Sequence, residues 1–397
     1  MGSAYFDKKS VRDVDVHNKK VFVRVDFNVP IKNGQVKDTS RIEAALPTIH
    51  YLLEQDAAII LASHLGRPDG EKKPEFSLKP VAEEMSRLLQ MPVAFVEDCI
   101  GPEVKKAVAN LQYGQILMLE NVRFHGEEET NNADFAWNLS QLAEVYVNDA
   151  FGTAHRAHAS TAGIAEYIPA VSGLLMEKEL RGLGIALAGA KRPFVAIIGG
   201  AKVSDKIKFI DNLLQKVDKL LVGGGMANTF LAAAGYNMQA SVVEQDKLEW
   251  ATQYLQTDIA REKMILPVDM IAASSFALDA ETQVVEPQAI PEGWQALDIG
   301  PKTCALFGAE IEKASTVLWN GPLGVFEMKP FAAGTMEIAK KVAESPAFTI
   351  IGGGDSVAAI KKAGLSDKID HLSTGGGASL KFLEGKQLPG VAALLDK

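Results

Sequence analysis

Phe348-Thr349-Ile350-Ile351-Gly352-Gly353-Gly354-Asp355-Ser356, continued by Val357-Ala358-Ala359-Ile360-Lys361-Lys362-Ala363-Gly364, is the stretch on which the fold turns. Its β-branched apolar opening reads as a buried strand. Asp355 or Ser356 is placed to cap a helix that stops at Gly364. Between them, three glycines let the backbone approach a ligand closely and aim N–H groups at an anion. The stretch is therefore strand, phosphate-type turn and helix. It recurs: residues 194–198 run into Gly199-Gly200, 220–222 into Gly223-Gly224-Gly225, and 371–374 into Gly375-Gly376-Gly377. One such turn need be no more than a tight strand-to-helix connection. Four in one half of a chain point to one crevice at the carboxyl ends of a parallel sheet, where open α/β sheets bind ligands.

The chain around these turns has 397 residues, 47% hydrophobic and 23% charged, an ordinary globular composition long enough for two domains. No run of roughly 18 uncharged apolar residues is present to span a membrane. The amino terminus lacks a charged-then-apolar leader pattern, and Phe6 stands where a myristoylation signal needs Ser or Thr. Cys99 and Cys304 show no metal or redox spacing, so buried free thiols and a reducing, cytoplasmic setting are expected. A net charge of −9 argues against nucleic acid as a partner. Eight of the ten arginines nevertheless precede residue 182. Arginine recognises phosphate and carboxylate bidentately, so that half is suited to a small anion. Arg12, Arg87 and Arg181 fit equally well as ordinary surface residues.

In the first half, residues 20–27 read as a strand whose polar face carries Arg24, Asp26 and, just beyond, Asn28. The three form either a polar site or an internal Arg24–Asp26 ion pair. Ser40-Arg41-Ile42-Glu43 reads as a capping box opening a helix, with Pro47 kinking it or starting another. Arg41 then sits at the positive end of the helix dipole, a conflict that a bound anion would resolve. A second strand, 57–62, ends in Ser63-His64-Leu65-Gly66-Arg67-Pro68, where His64 and Arg67 leave together through a glycine. Runs 93–96, 116–119 and 145–147 are further strands. Arg123 follows the fourth strand, and Arg156 follows the fifth inside an anion loop. The His155/His158 spacing suggests a metal, but no nearby Cys or Glu completes a ligand set.

In the second half, 177–187 is amphipathic and joins the arginine-rich to the glycine-rich part. Val203, Ile207, Ile210, Leu214 and Val217 keep a helical period, which puts Lys202 and Lys206 one turn apart at that helix's positive end. Neither a P-loop nor a G-x-G-x-x-G turn occurs, which weakens a dinucleotide-dependent dehydrogenase. Residues 272–287 read as a polar β excursion. Thr316 to Asn320 and the turn after it carry one amide, Asn320, and one carboxylate, Glu327, able to accept from a ribose.

These motifs, taken in order, resemble the phosphoglycerate kinase family along essentially the whole chain: RVDFNVP (24–30), SHLGRP (63–68), ENVRF (120–124), FGTAHRAHAS (151–160), GGAKVSDK (199–206), WNGPLGVFE (319–327), GGGDS (352–356) and STGGGASL (373–380). Ser204, Ser356 and Leu323 stand where that family often has Ala, Thr and Val. The resemblance implies an α/β fold of two Rossmann-like parallel-sheet domains facing across a cleft and joined by a hinge helix. Residues 1–176 would bind phosphoglycerate and 177–380 nucleotide, with a tail of about 381–397 packing back on the first.

It further implies reversible phosphoryl transfer from 1,3-bisphosphoglycerate to MgADP, giving 3-phosphoglycerate and MgATP, by a cytoplasmic monomer with no nucleic-acid or membrane partner. Asp26, Asn28, Arg41, His64, Arg67, Arg123 and Arg156 would hold the phosphoglycerate. Lys202, Lys206, Asn320, Glu327, Gly353, Gly354, Asp355 and Ser356 would hold the nucleotide, with Asp355 on Mg²⁺. Arg41 and Lys202, helped by backbone N–H groups near Gly352 and Gly375, would neutralise the transferring group. A two-lobed, non-enzymatic binder of a phosphorylated anion explains the arginines and glycine turns but leaves Lys202 and Asp355 without a task.

Overall fold

A computed structural model describes residues 7–397, so the amino-terminal pattern at Met1 to Phe6 lies outside the described residues. The chain folds as two compact units. One comprises the described residues through Arg181 together with Gln387–Lys397; the other is Gly182–Lys386. Each is built on a six-stranded sheet with all neighbours parallel. In the first, the order across the sheet is Val93–Val96, Ile116–Leu119, Ala58–Ala62, Lys20–Arg24, Val145–Asn148 and Ala170–Ser172. In the second it is Met264–Ile265, Lys219–Val222, Phe194–Ile198, Thr316–Asn320, Phe348–Gly352 and His371–Leu372.

Helices cover these sheets, which is why the central strands are continuous apolar runs rather than alternating ones. Ala58–Ala62, Phe194–Ile198 and Thr316–Asn320 are buried at every position. In the first unit Val21, Val23, Ile59, Leu61 and Met118 pack with Ile42, Ile49 and Leu52 of helix Ser40–Glu54. In the second, Val195, Ile197, Leu221 and Trp319 pack with Phe307 and Ile311 of helix Pro301–Lys313. Full burial of each such side chain contributes about 1.5–3 kcal/mol. The β excursion is present but longer than expected: Met270–Ala273, Thr282–Val285 and Gln295–Ile299 make an antiparallel three-stranded sheet.

Several local expectations are corrected. Thr39, not Ser40, is the cap of helix Ser40–Glu54, because Asp38 takes the Ser40 N–H (2.8 Å) and Thr39 donates its hydroxyl to Glu43 (2.6 Å). Pro47 does not start a second helix: one helix runs through it, with its apolar face anchored in the core on both sides of the proline. The regular strand stops at Arg24, but Val25 N–H still donates to Ala62 O (3.0 Å), Ser63 Oγ takes the Phe27 N–H (2.9 Å), and Val25 and Phe27 join Val21 and Val23 in the core. The helix expected from Val203 begins only at Ile207, since Lys206 is its cap with φ −127°. Lys202 and Lys206 are therefore not helical neighbours. Gly353, at φ +87°, caps helix Gly354–Lys362 in place of Asp355 or Ser356, both of which lie in its first turn. That helix does end at Gly364, whose φ of +68° lets Leu365 N–H reach back to Ile360 O (3.1 Å). The amphipathic joining segment is helix Leu174–Gly184, prolonged by the wider turn Ile185–Gly189.

Candidate active site

In the first unit, the order of strands reverses between Lys20–Arg24 and Val145–Asn148, and the polar loops gather beyond the carboxyl ends of these strands. Arg24 is fully buried there. Its Nε donates to Ser160 Oγ (2.7 Å), whose hydroxyl in turn donates to Glu128 Oε1 (2.6 Å). A terminal nitrogen of Arg24 faces His64 Nδ1 (3.3 Å), which must then be an acceptor. Burial, followed by Arg24, Arg123, Arg41 and Arg156, drives the His64 pKa well below its usual range. A neutral imidazole thus sits among four guanidiniums.

Their neutralisation is incomplete. Asp26 pairs with Arg41 (2.9 Å), so the alternative Arg24–Asp26 pair does not form. Glu129 approaches buried Arg123 (3.1 Å), whose burial lowers its pKa to about 10, and whose NH1 donates to Gly66 O (2.8 Å). Arg156 Nε donates to His155 Nε2 (3.3 Å), and Arg67 is exposed. Asn28 Oδ1 accepts the Gly66 N–H (2.9 Å) and so fixes the loop bearing Arg67. The Asp26 carboxylate also answers the dipole conflict at Arg41 without any bound anion.

In the second unit, the order reverses between Phe194–Ile198 and Thr316–Asn320. There the turns lock together: Gly199 N–H donates to Asn320 O (3.1 Å) and Gly200 N–H to Pro322 O (2.9 Å). A methyl group on Gly199 would lie 2.0 Å from Pro322 O, so only glycine fits. Beside them opens a cavity of about 360 Å³ lined by Gly200, Gly224, Phe276, Leu297, Glu327 and Asp355, among others. Lys206 Nζ donates to Gly199 O (2.8 Å) and Asn320 O (3.1 Å), and burial lowers its pKa to about 8. Asp355 is exposed, in the first turn of its helix, and its carboxylate has no hydrogen bond or ion pair with another described residue. A free carboxylate beside a cavity, at a turn of N–H groups, suits a hard divalent cation carried by a phosphate ligand.

Not every expected residue points into this cavity. Ser356 is buried, and its Oγ accepts the Gly321 N–H, bridging two turns. Gly375 N–H is turned to Ser373 Oγ (3.3 Å). Asn320 is buried, with its amide packed under Gly352 and Gly353. Lys202 is exposed on the turn before the helix. His155 and His158 belong to no potential metal group; among the described residues that geometry arises only at Asp98, Cys99 and His125. Both thiols are free and buried, as expected. Sequence reasoning missed Glu128 and Ser160 behind the arginines, and Glu244 and Asp298 around the cavity. Ser160 closes a motif that the sequence does show, but Glu128, Glu244 and Asp298 lie in ordinary-looking stretches, and no spacing links them to the sites they serve.

The phosphoglycerate kinase family model matches residues 11–386. The phosphoglycerate kinase of Moorella thermoacetica is 58% identical over 98% of this chain and 100% of its own length. That of Chloroflexus aggregans is 56% identical over 98% and 99%. Among solved structures, phosphoglycerate kinase from Coxiella burnetii matches with a TM-score of 0.90 at 43% identity, covering 97% of this chain and 98% of that one. The Pyrococcus horikoshii enzyme matches with a TM-score of 0.85 at 35% identity and the same coverage.

Proposed function

The chain belongs to the phosphoglycerate kinase family, and on that premise we propose how its residues divide the reversible transfer of a phosphoryl group between 1,3-bisphosphoglycerate and MgADP. The observation that carries the reading is segregation: guanidiniums surround a neutral histidine in one unit, while glycine turns wall a cavity in the other. Asp26, Asn28, Arg41, His64, Arg67, Arg123 and Arg156 hold the phosphoglycerate. Lys206, Glu327 and the turn Gly353, Gly354, Asp355 hold the nucleotide, Glu327 accepting from its ribose, while Asn320 and Ser356 support that turn from behind.

Phosphoryl transfer asks for positioning and charge neutralisation more than covalent help. Arg41 and Lys202 neutralise the transferring group, aided by N–H groups near Gly352 and Gly375. Asp355 would hold a Mg²⁺ arriving with the nucleotide, which would supply neutralisation of phosphate charge. The same reading gives a cytoplasmic monomer with neither nucleic-acid nor membrane partners. Among the described residues no helix is long and apolar enough to cross a membrane.

Calorimetric titration of two variants tests the division. Asp355→Ala should weaken MgADP binding at least tenfold, about 1.4 kcal/mol, and leave 3-phosphoglycerate binding unchanged. Arg41→Ala should do the reverse. The opposite pattern would exchange the roles of the two units.

A further inference from the structure

We propose that Glu244 is a positioning residue for phosphoryl transfer, holding the loop that carries Lys202; the inference rests on the role just given to that lysine. Glu244 Oε2 accepts the N–H groups of Val203 and Ser204 (3.0 Å for Ser204), and Oε1 accepts the Ser204 hydroxyl. Its own N–H donates to Oγ1 of Thr229 (3.1 Å), fully buried in helix Gly224–Ala233. Through its carboxylate on one side and its backbone N–H on the other, Glu244 fastens the backbone between Lys202 and Lys206 to a helix anchored in the core. Hydrogen bonds to a charged acceptor are roughly twice as strong as neutral ones.

Lys202 depends on this fastening more than Lys206 does. Lys206 is also held by its ammonium, between Gly199 O and Asn320 O. Lys202 is exposed and makes no hydrogen bond or ion pair with another described residue; the Asp246 carboxylate attracts its ammonium without pairing with it, so its reach is set mainly by its backbone. That backbone lies in the turn before Ile207, outside any helix or strand, and its neighbours Val203 and Ser204 are the residues that Glu244 holds. Glu244 itself is not part of the cavity wall, where Val242 stands instead. It acts through the loop and not on the nucleotide. A misplacement of ~1 Å in a transition-state group costs up to ~100-fold in rate.

The test is a double-mutant cycle on turnover, with both KM values and thermal unfolding measured for every variant. Glu244→Ala should lower kcat ~10- to 100-fold and leave the KM for 3-phosphoglycerate unchanged. Glu244→Gln keeps an acceptor oxygen for the two N–H groups and should recover most of that loss. Ser204→Ala, losing only the hydroxyl, should fall by about threefold, near the ~0.6 kcal/mol lower end for one net hydrogen bond. In a Lys202→Ala background, adding Glu244→Ala should cost less than ~2-fold, because the group it positions is gone. An undiminished cost there would overturn the proposal while leaving the reading of Lys202 intact. A harmless Lys202→Ala would remove that reading, and the proposal with it. A lower unfolding temperature with wild-type kcat would reduce Glu244 to a stability residue. If Glu244→Ala does not fold, Ser204→Ala and Glu244→Gln carry the same cycle.

Discussion

Lys206 shows how far one side chain's environment decides its chemistry. Its ammonium lies between two carbonyls, and burial lowers the pKa from 10.5 to about 8, against the pull of Asp355 and Asp205. The fold prefers the neutral amine, so the destabilising cost of the charge is present below pH 8 and is relieved as pH rises toward 10.5. Nucleotide binding runs the other way, since a phosphate needs the ammonium. The KM for MgADP should therefore climb above about pH 8, up to tenfold per pH unit, while Lys206→Arg flattens the profile because guanidinium stays charged. A KM constant to pH 9.5, a value ~1.5 units past that midpoint, would remove Lys206 from phosphate binding. Arg41 is the complementary case. Its side chain is 41% exposed and has one ion pair, so Arg41→Ala should change stability by no more than about 1 kcal/mol. Turnover should nevertheless fall by at least ~100-fold, from the loss of one aligned cation. Thermal unfolding measured beside the assay separates the two.

Helix Leu174–Gly184 starts on a buried carboxylate. Asp149 Oδ1 accepts the N–H groups of Leu175 (2.9 Å) and Met176 (3.1 Å), while Oδ2 has no hydrogen-bond partner among the described residues. Burial raises the pKa from 3.8 to about 6, outweighing hydrogen bonds from Thr48, Met176 and Leu175 that lower it. With the folded pKa above the unfolded one, the charged form is disfavoured by folding. This group's cost is absent below pH 3.8 and complete above pH 6. Asp149→Asn keeps the acceptor oxygen and discards the charge. It should stabilise the protein at pH 7 by up to about 2–3 kcal/mol and have little effect at pH 4, which denaturant melts at the two pH values would reveal. Equal effects at both would mean that Asp149 is already neutral, or well solvated, at pH 7.

At the scale of the whole molecule, the chain passes between its two units twice, within helix Leu174–Gly184 and again after Lys386. The returning tail is bound into the first unit: Leu395 O accepts Lys9 N–H (2.8 Å), and Leu395 N–H donates to Ala170 O (3.0 Å). Donor and acceptor atoms must come within ~3–3.5 Å for transfer, and we assign their binding groups to different units. Neither ligand alone supplies the whole set of charges, so both together should favour a more compact state. Small-angle scattering should give a smaller radius of gyration only with 3-phosphoglycerate and nucleotide present together. An unchanged radius in the apo, singly bound and doubly bound protein would count against closure.

Much of this was legible from residues alone, because the deciding signals are local. Apolar runs of strand length ending in glycine fixed the parallel α/β class, since a strand buried on both faces must be apolar throughout and its turn must admit close backbone contact. Arg123, Arg156 and Asp355 were readable because they sit in loops that follow such runs, Arg41 and Lys206 because a cation stood at a helix start, and Glu327 because its turn carries a carboxylate. The caps and register were not: Thr39 displaced Ser40 and Gly353 displaced Asp355, each through contacts or dihedral angles on which composition is silent. Nor could pairings across long stretches be read. Arg24 reached Ser160 and Glu128 instead of Asp26, and Glu244 found Val203 and Ser204 some forty residues away. A buried charge takes whichever partner the packed structure brings within hydrogen-bonding distance. Sheet order sets that choice, and sheet order exists only in the folded chain.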